Sequence, residues 1–192
     1  MRGTVVASLL PLLLGACASQ PPAPAAAVRI VEPPAVALLS RFEIDGRLQV
    51  RDGDKTAAVG VEWMHAEEGD EWLFSGPLGQ GLARIQSGPE GARMTLADGR
   101  RIEAPSAAEL AERLFEVHAP FAQLPRWVTA RLPGGAEVRE LDAIGRPLRV
   151  VDQGWTIEYL EYAGDALADL PRKIDIHRGE TRLRLIIDTW NP

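Results

Sequence analysis

Three histidines, a knot of carboxylates and one cysteine are the residues with the chemistry to act on a substrate. His65, His118 and His177 lie far apart in the chain. No His-x-x-x-His spacing places two of them on one helix face to hold a metal. Each reads as a surface or strand histidine. Glu67, Glu68, Asp70 and Glu71 bracket Gly69. Acid–base catalysis needs carboxylates in distinct, desolvated environments, whereas this group reads as a solvated hairpin tip. Neither a Gly-x-Ser-x-Gly elbow nor a phosphate-cradling Walker loop occurs. The expectation is a protein that is not an enzyme, with no catalytic residue, no metal and no cofactor.

Cys17 has a different use. It is the only cysteine, so no disulfide framework is available to it. Met1-Arg2 form a short positive start, and Thr4 to Leu14 form an apolar run too short to span a bilayer comfortably. Leu14-Gly15-Ala16-Cys17 then resembles the bacterial lipobox. That motif implies diacylglyceryl transfer to the Cys17 thiol, cleavage before it and acylation of the new amino group. Three acyl chains on one residue anchor stably where a single chain does not. Ala18, in place of an aspartate, points to the outer membrane. Residues 1–16 are therefore read as a lipoprotein signal peptide. Residues 17–35 are read as the lipidated N-terminus and a Pro/Ala-rich linker with polyproline II character. Residues 36–192 are read as one domain, long enough for a proper core. Loss of Arg2 with the signal takes the net charge of −6 to −7. With no basic stripe, the domain is expected not to bind nucleic acid.

Most of that domain is written in period two. In "RFEIDGRLQVRDGD", Phe42, Ile44, Leu48 and Val50 share one face, and Glu43, Asp45, Arg47, Gln49 and Arg51 the other. This is a half-buried antiparallel strand ending at an Asp52-Gly53-Asp54 turn. Val59, Val61 and Trp63 repeat the pattern. About seven strands follow one another as a hairpin meander. The period then changes. "PSAAELAERLFEVH" carries Ser106 and Glu109 at capping-box spacing, with Leu110, Leu114 and Val117 on one stripe. "AQLPRWVTARLPGG" predicts a second short helix, with Trp127, Val128 and Leu132 apolar and Pro133-Gly134 as its stop. Strands resume to the end. The fold class is mainly β with α: antiparallel strands with a short helical lid inserted between them, which the family resemblance given below implies to be an open, half-closed antiparallel β-barrel.

"SGPLGQG", residues 75–81, does not fit the rule that turn tips are polar. Its tip is Pro77-Leu78-Gly79, which predicts an apolar side chain held out on a turn.

The blocks "FEIDGRLQV", "VEWMHA", "WLFSGPLGQG", "LPRWVTARLPG", "DQGWTIEYLEY" and "LPRKIDIHRGETRLRLIIDTW" resemble, in order, those of the LolB family of outer-membrane lipoprotein receptors. The resemblance runs from about Phe42 to Trp190. It implies helices closing over an apolar cavity. It also implies a job: taking triacylated lipoproteins from a soluble periplasmic carrier of the LolA type and placing them in the outer membrane without ATP. Partners would be that carrier, the cargo's acyl chains and outer-membrane lipids. The domain itself is expected to be a monomer on the periplasmic face. Burying one CH₂ is worth about 0.8 kcal/mol, so acyl chains need a protein cavity to cross water. Phe42, Ile44, Val61, Trp63, Trp72, Trp155, Ile157 and Leu185, on inner strand faces, are the expected lining. The same residues equally suit a packed core. Pro77, Leu78 and Gly79 are the expected membrane-insertion loop. Two other readings stay open: a lipoprotein carrying free lipid or glycolipid, and a structural outer-membrane lipoprotein.

Overall fold

The computed structural model describes residues 39–132 and 134–192. The signal peptide, Cys17, the linker and Pro133 lie outside the described residues.

Eleven strands form one antiparallel sheet. They are β1 (Phe42–Asp52), β2 (Lys55–Ala66), β3 (Gly69–Ser75), β4 (Gly81–Gly88), β5 (Gly91–Leu96), β6 (Arg101–Ala104), β7 (Glu137–Leu141), β8 (Pro147–Asp152), β9 (Trp155–Tyr162), β10 (Pro171–Arg178) and β11 (Thr181–Asn191). Helices α1 (Ala107–Phe115) and α2 (Leu124–Trp127), with a 3₁₀ turn at Phe121–Gln123 between them, interrupt the meander after β6. The order across the sheet is β6-β5-β4-β3-β2-β1-β11-β10-β9-β8-β7. The first and last strands therefore pair at the centre. Strands β6 and β7, which flank the helical insert in sequence, form the two unpaired edges. The sheet is open, as the family resemblance implies, and antiparallel with inserted helices, as the period-two pattern and its interruption predict. Its edges are four and five residues long, against eleven for each central strand. Short edges limit the backbone left unpaired.

Because the meander is antiparallel throughout, its turns fall at two ends. One end holds turns 53–54, 76–80, 97–100, 153–154 and 179–180. The other holds turns 67–68, 89–90, 142–146 and 163–170, and there the described chain enters β1.

Alternation decides which face is covered. Strand β1 alternates buried and exposed over nine residues, with Phe42, Ile44, Gly46, Leu48 and Val50 buried. A register shift between β1 and β11 falls at Asp45/Gly46. There a Cβ on Gly46 would stand 2.1 Å from the Ile186 carbonyl oxygen. The bulge needs a residue without a side chain.

Two expectations change. Six strands precede the helices where about seven are expected, one for each alternating block. The second helix is also shorter than its apolar spacing predicts. It is a 3₁₀ turn and a single α turn, ending at Trp127 with Val128 as its cap. Ala130 has φ 54°, a left-handed conformation that stops the helix before Pro133-Gly134 is reached.

Candidate functional site: the concave face, its lid and the Leu78 turn

All eight nominated lining residues point to one side of the sheet. Each is nearly fully buried, from Ile157 at 0% to Trp72 at 6% exposed. Aromatic contacts join them into a path. Phe42 meets Trp63 edge-on at 4.9 Å, and Trp63 stacks on Trp72 at 4.0 Å. Trp72 stacks on Phe74 at 5.8 Å, and Phe74 meets Phe115 of α1 at 5.1 Å. On the other half of the sheet Trp155 lies 6.5 Å from Trp127 of α2. What covers the concave face is therefore the lid: Leu110, Phe121, Leu124, Trp127 and Val128 are all buried against it.

The two parts of the lid are held differently. The Ser106 hydroxyl accepts from the Glu109 backbone N–H at 3.3 Å, the first half of the expected capping box. The Glu109 carboxylate turns to Arg113 instead. Helix α1 packs on β4, β5 and β6. Its C-terminal end is tied at the surface, where Lys55 donates to the Glu116 carbonyl at 3.1 Å and the His118 N–H donates to Asp52 at 3.2 Å. Helix α2 is pinned from inside. The Trp127 indole N–H donates to Asp152 at 2.8 Å, and the Tyr159 hydroxyl donates to the Trp127 carbonyl at 2.8 Å. Burial holds the Tyr159 hydroxyl well above the usual phenol range, so it remains the donor. Asp152, buried itself, also has Arg126 at 3.7 Å. Sequence reasoning did not single out Asp152, and it placed Tyr159 only on the face of Trp155 and Ile157, without its bond to the lid. Asp152 lies next to the Gln153-Gly154 turn and looks like an ordinary turn aspartate.

Between the lid parts and the sheet is a cavity of about 220 Å³, lined by Trp72, Ser87, Ala107, Ala111, Phe121 and Pro125 among others. Small side chains form much of its wall. Asp70 stands at its rim and corrects the reading of the carboxylate run. Only Glu67 and Glu68 form the hairpin tip, while Asp70 and Glu71 belong to β3. Asp70 accepts from the Trp63 indole N–H at 2.8 Å and lies 2.8 Å from His65 Nδ1. It satisfies the one polar atom of a tryptophan otherwise buried in apolar surroundings. His177 lies 3.7 Å from Glu158, and His118 is exposed. Among the described residues no group of three or more His, Cys, Asp or Glu is placed to hold a metal.

Leu78 is 93% exposed. The turn that carries it closes on itself. The Gly76 N–H donates to the Gln80 carbonyl at 2.8 Å, the Gly79 N–H to the Gly76 carbonyl at 2.9 Å, and the Leu78 N–H to the Gln80 side chain at 3.2 Å. Gly79 takes φ 78°, which a residue with a side chain would strain to reach. Pro77 is exposed beside it. With its backbone satisfied, the turn stands without help from the leucine side chain.

The geometry is thus a curved apolar face under a two-part lid, with a bare leucine on a turn at one end. Comparison with known proteins gives it a family. The family model described as "Outer membrane lipoprotein LolB" matches residues 40–190. A protein named outer-membrane lipoprotein LolB from Azoarcus sp. is 44% identical over 179 residues, covering 93% of this chain and 89% of its own. One of the same name from Thiobacillus denitrificans is 35% identical, covering 99% of this chain and 98% of its own. The Dechloromonas aromatica relative is 32% identical, with 93% and 92% covered. The chain belongs to the LolB family of outer-membrane lipoproteins.

Proposed function

We propose that this chain is an outer-membrane receptor that takes acylated lipoproteins from a periplasmic carrier of the LolA type. It holds their acyl chains against its concave face and releases them into the bilayer at the Leu78 end. The observation that carries this is the concave face itself, apolar over its whole width and covered by a lid instead of a second sheet. A lid can be displaced where a sandwich core cannot, because the covering side chains sit on a short insert joined to the edge strands β6 and β7.

In the closed arrangement the 220 Å³ cavity is too small for even one whole acyl chain, let alone three. Cargo must therefore replace lid side chains on the sheet. The exchange swaps one apolar contact for another and needs no external energy source. Leu78 supplies the exit. Its full burial in the acyl region is worth roughly 1.5–3 kcal/mol, enough to orient the mouth and too little to anchor the domain. Anchoring falls to the lipid on Cys17. The domain acts as a monomer.

The test is two assays on one preparation: transfer of a lipidated cargo from the carrier to this protein, and incorporation of that cargo into liposomes. The receptor reading requires both. Binding of free lipid without uptake of acylated protein would mark a lipid carrier, and no uptake of either would mark a structural lipoprotein.

A further inference from the structure

Arginines on the outer face of the sheet are mostly matched across strands. Arg93 faces Glu103, Arg149 faces Glu158 and Arg184 faces Asp175 in the strand register. Arg51 and Arg182 break that pattern, because they face each other across β1 and β11. On its other side Arg182 faces His177 of β10. Like charges placed directly opposite on a sheet are unfavourable, so packing does not account for this row. Arg51 is spent only on the Gly53 carbonyl, at 3.2 Å. Both side chains are exposed, and among the described residues neither has a carboxylate partner. With Arg184 they line a groove of about 200 Å³ that also holds Gln49 and Thr56. Arg184 is already held by Asp175 through bonds of 2.8 and 2.6 Å, which fixes its guanidinium at the groove wall.

The row sits toward the end of the sheet that carries Leu78. Strands β1 and β3 are two places apart in the sheet, so about 10 Å separates them at the usual strand spacing. The turns of the opposite end carry Glu67, Glu68, Glu90, Asp142, Asp165 and Asp169 against Arg146. The acids nearest the row are already engaged or at its margin: Asp175 is held by Arg184, Asp52 accepts from the Thr181 hydroxyl at 2.7 Å, and Asp54 and Glu180 stand at two hairpin tips.

We propose that the Arg51–Arg182 row, with Arg184 as its wall, binds the phosphate groups of an anionic bilayer surface and sets the angle at which the Leu78 end meets it. This rests on the reading that Leu78 enters the bilayer. The acidic turns at the far end then point away from the anionic surface, and the long arginine side chains reach headgroups while the leucine reaches the acyl region.

The experiment uses the full-length lipidated chain in vesicles of phosphatidylcholine, alone or mixed with phosphatidylglycerol. Every variant carries Asp54→Cys, labelled with a donor fluorophore, and an acceptor sits on lipid headgroups. Energy transfer reads the ratio of docked to undocked domain. In the mixed vesicles each arginine lost from the row, as Arg51→Gln or Arg182→Gln, is expected to lower that ratio about fivefold. High salt should do the same. Arg41→Gln with Arg172→Gln, at the opposite end, should leave it unchanged. If the row variants dock like the parent while Leu78→Glu undocks, the row proposal is overturned and the leucine reading survives. If Leu78→Glu docks normally and the row variants do not, the row stands and the leucine reading falls. Row variants that dock normally but take less cargo from the carrier would make the row a site for an acidic protein, which also overturns the proposal.

Discussion

At the scale of the residue, the proposed release step depends on Leu78. Leu78→Glu should leave the fold intact, since exposed substitutions usually shift stability by about 0.5 kcal/mol or less, and Leu78 is 93% exposed. Receipt of cargo from the carrier should also persist. Incorporation into liposomes should fall, because a carboxylate resists the acyl region and is repelled by anionic headgroups. Leu78→Ile should work nearly as the parent does. Equal loss in both assays would remove the leucine from the exit. Gly46 is the residue on which the centre of the sheet depends. Gly46→Ala puts a methyl group against the Ile186 carbonyl oxygen, so urea denaturation should show a loss of roughly 1–3 kcal/mol. Asp52 gives the pH dependence. The Thr181 hydroxyl, first, and the His118 backbone N–H hold its carboxyl below the usual carboxylate range. A carboxylate with a depressed folded-state pKa stabilises above its unfolded pKa, near 3.9, and that stability is lost as pH falls through the lower, folded value. Protection of the amides around His118, taken relative to their intrinsic exchange rates at each pH, should therefore fall below about pH 4, with Asp52→Asn showing a weaker dependence over the same window.

Among the elements, the lid divides by how it is tied. Helix α2 is fixed by two bonds in the protein interior, and α1 by exposed contacts at Lys55 and His118. Opening should begin at α1. In hydrogen exchange, amides of α1 should lose protection before those of α2 and well before central β1 and β11, and cargo should shift α1 most. Asp152→Ala leaves the buried Trp127 N–H without its acceptor and should cost about 1–3 kcal/mol. It should also free α2 and raise cargo uptake relative to the parent. The strands were legible in the sequence because one face is buried and the other wet. Phe42 to Val50, Val59 to Trp63 and Leu183 to Ile187 alternate just as they lie in the sheet. The Ser106 cap and the bare Leu78 were legible for equally local reasons. The short α2, the left-handed Ala130 and the role of Asp152 were not. Each depends on what the lid meets across the interior, and local spacing carries no record of that. The inner residues could be assigned to a face, but a face covered by a lid and a face filled by a core share one alternation.

At the scale of the whole molecule, the chain enters the sheet at the end opposite Leu78. If the lipid on Cys17 and the leucine meet one bilayer, the segment between Cys17 and Phe42 must reach past the length of β1. The eleven residues of β1 span about 36 Å. Twenty-five residues of chain can reach about 85 Å when fully extended. Deleting residues 20–35 leaves nine, with a reach of about 30 Å. That variant should still take cargo from a soluble carrier, while liposome incorporation drops sharply. Undiminished incorporation would detach the leucine from the anchored bilayer.

The central claim, that acyl chains lie on the concave face, is tested most directly by photocrosslinking. A benzophenone amino acid replaces Trp72, which lines the cavity under the lid and is 6% exposed, or Leu160, which stands 50% exposed on the outer face of β9. Each variant is mixed with carrier loaded with acylated cargo and irradiated, with unacylated cargo as control. The account predicts acyl adducts at position 72 with acylated cargo only, and none at position 160. Adducts of equal yield at the two positions, or none at position 72 while cargo is still transferred, would contradict it.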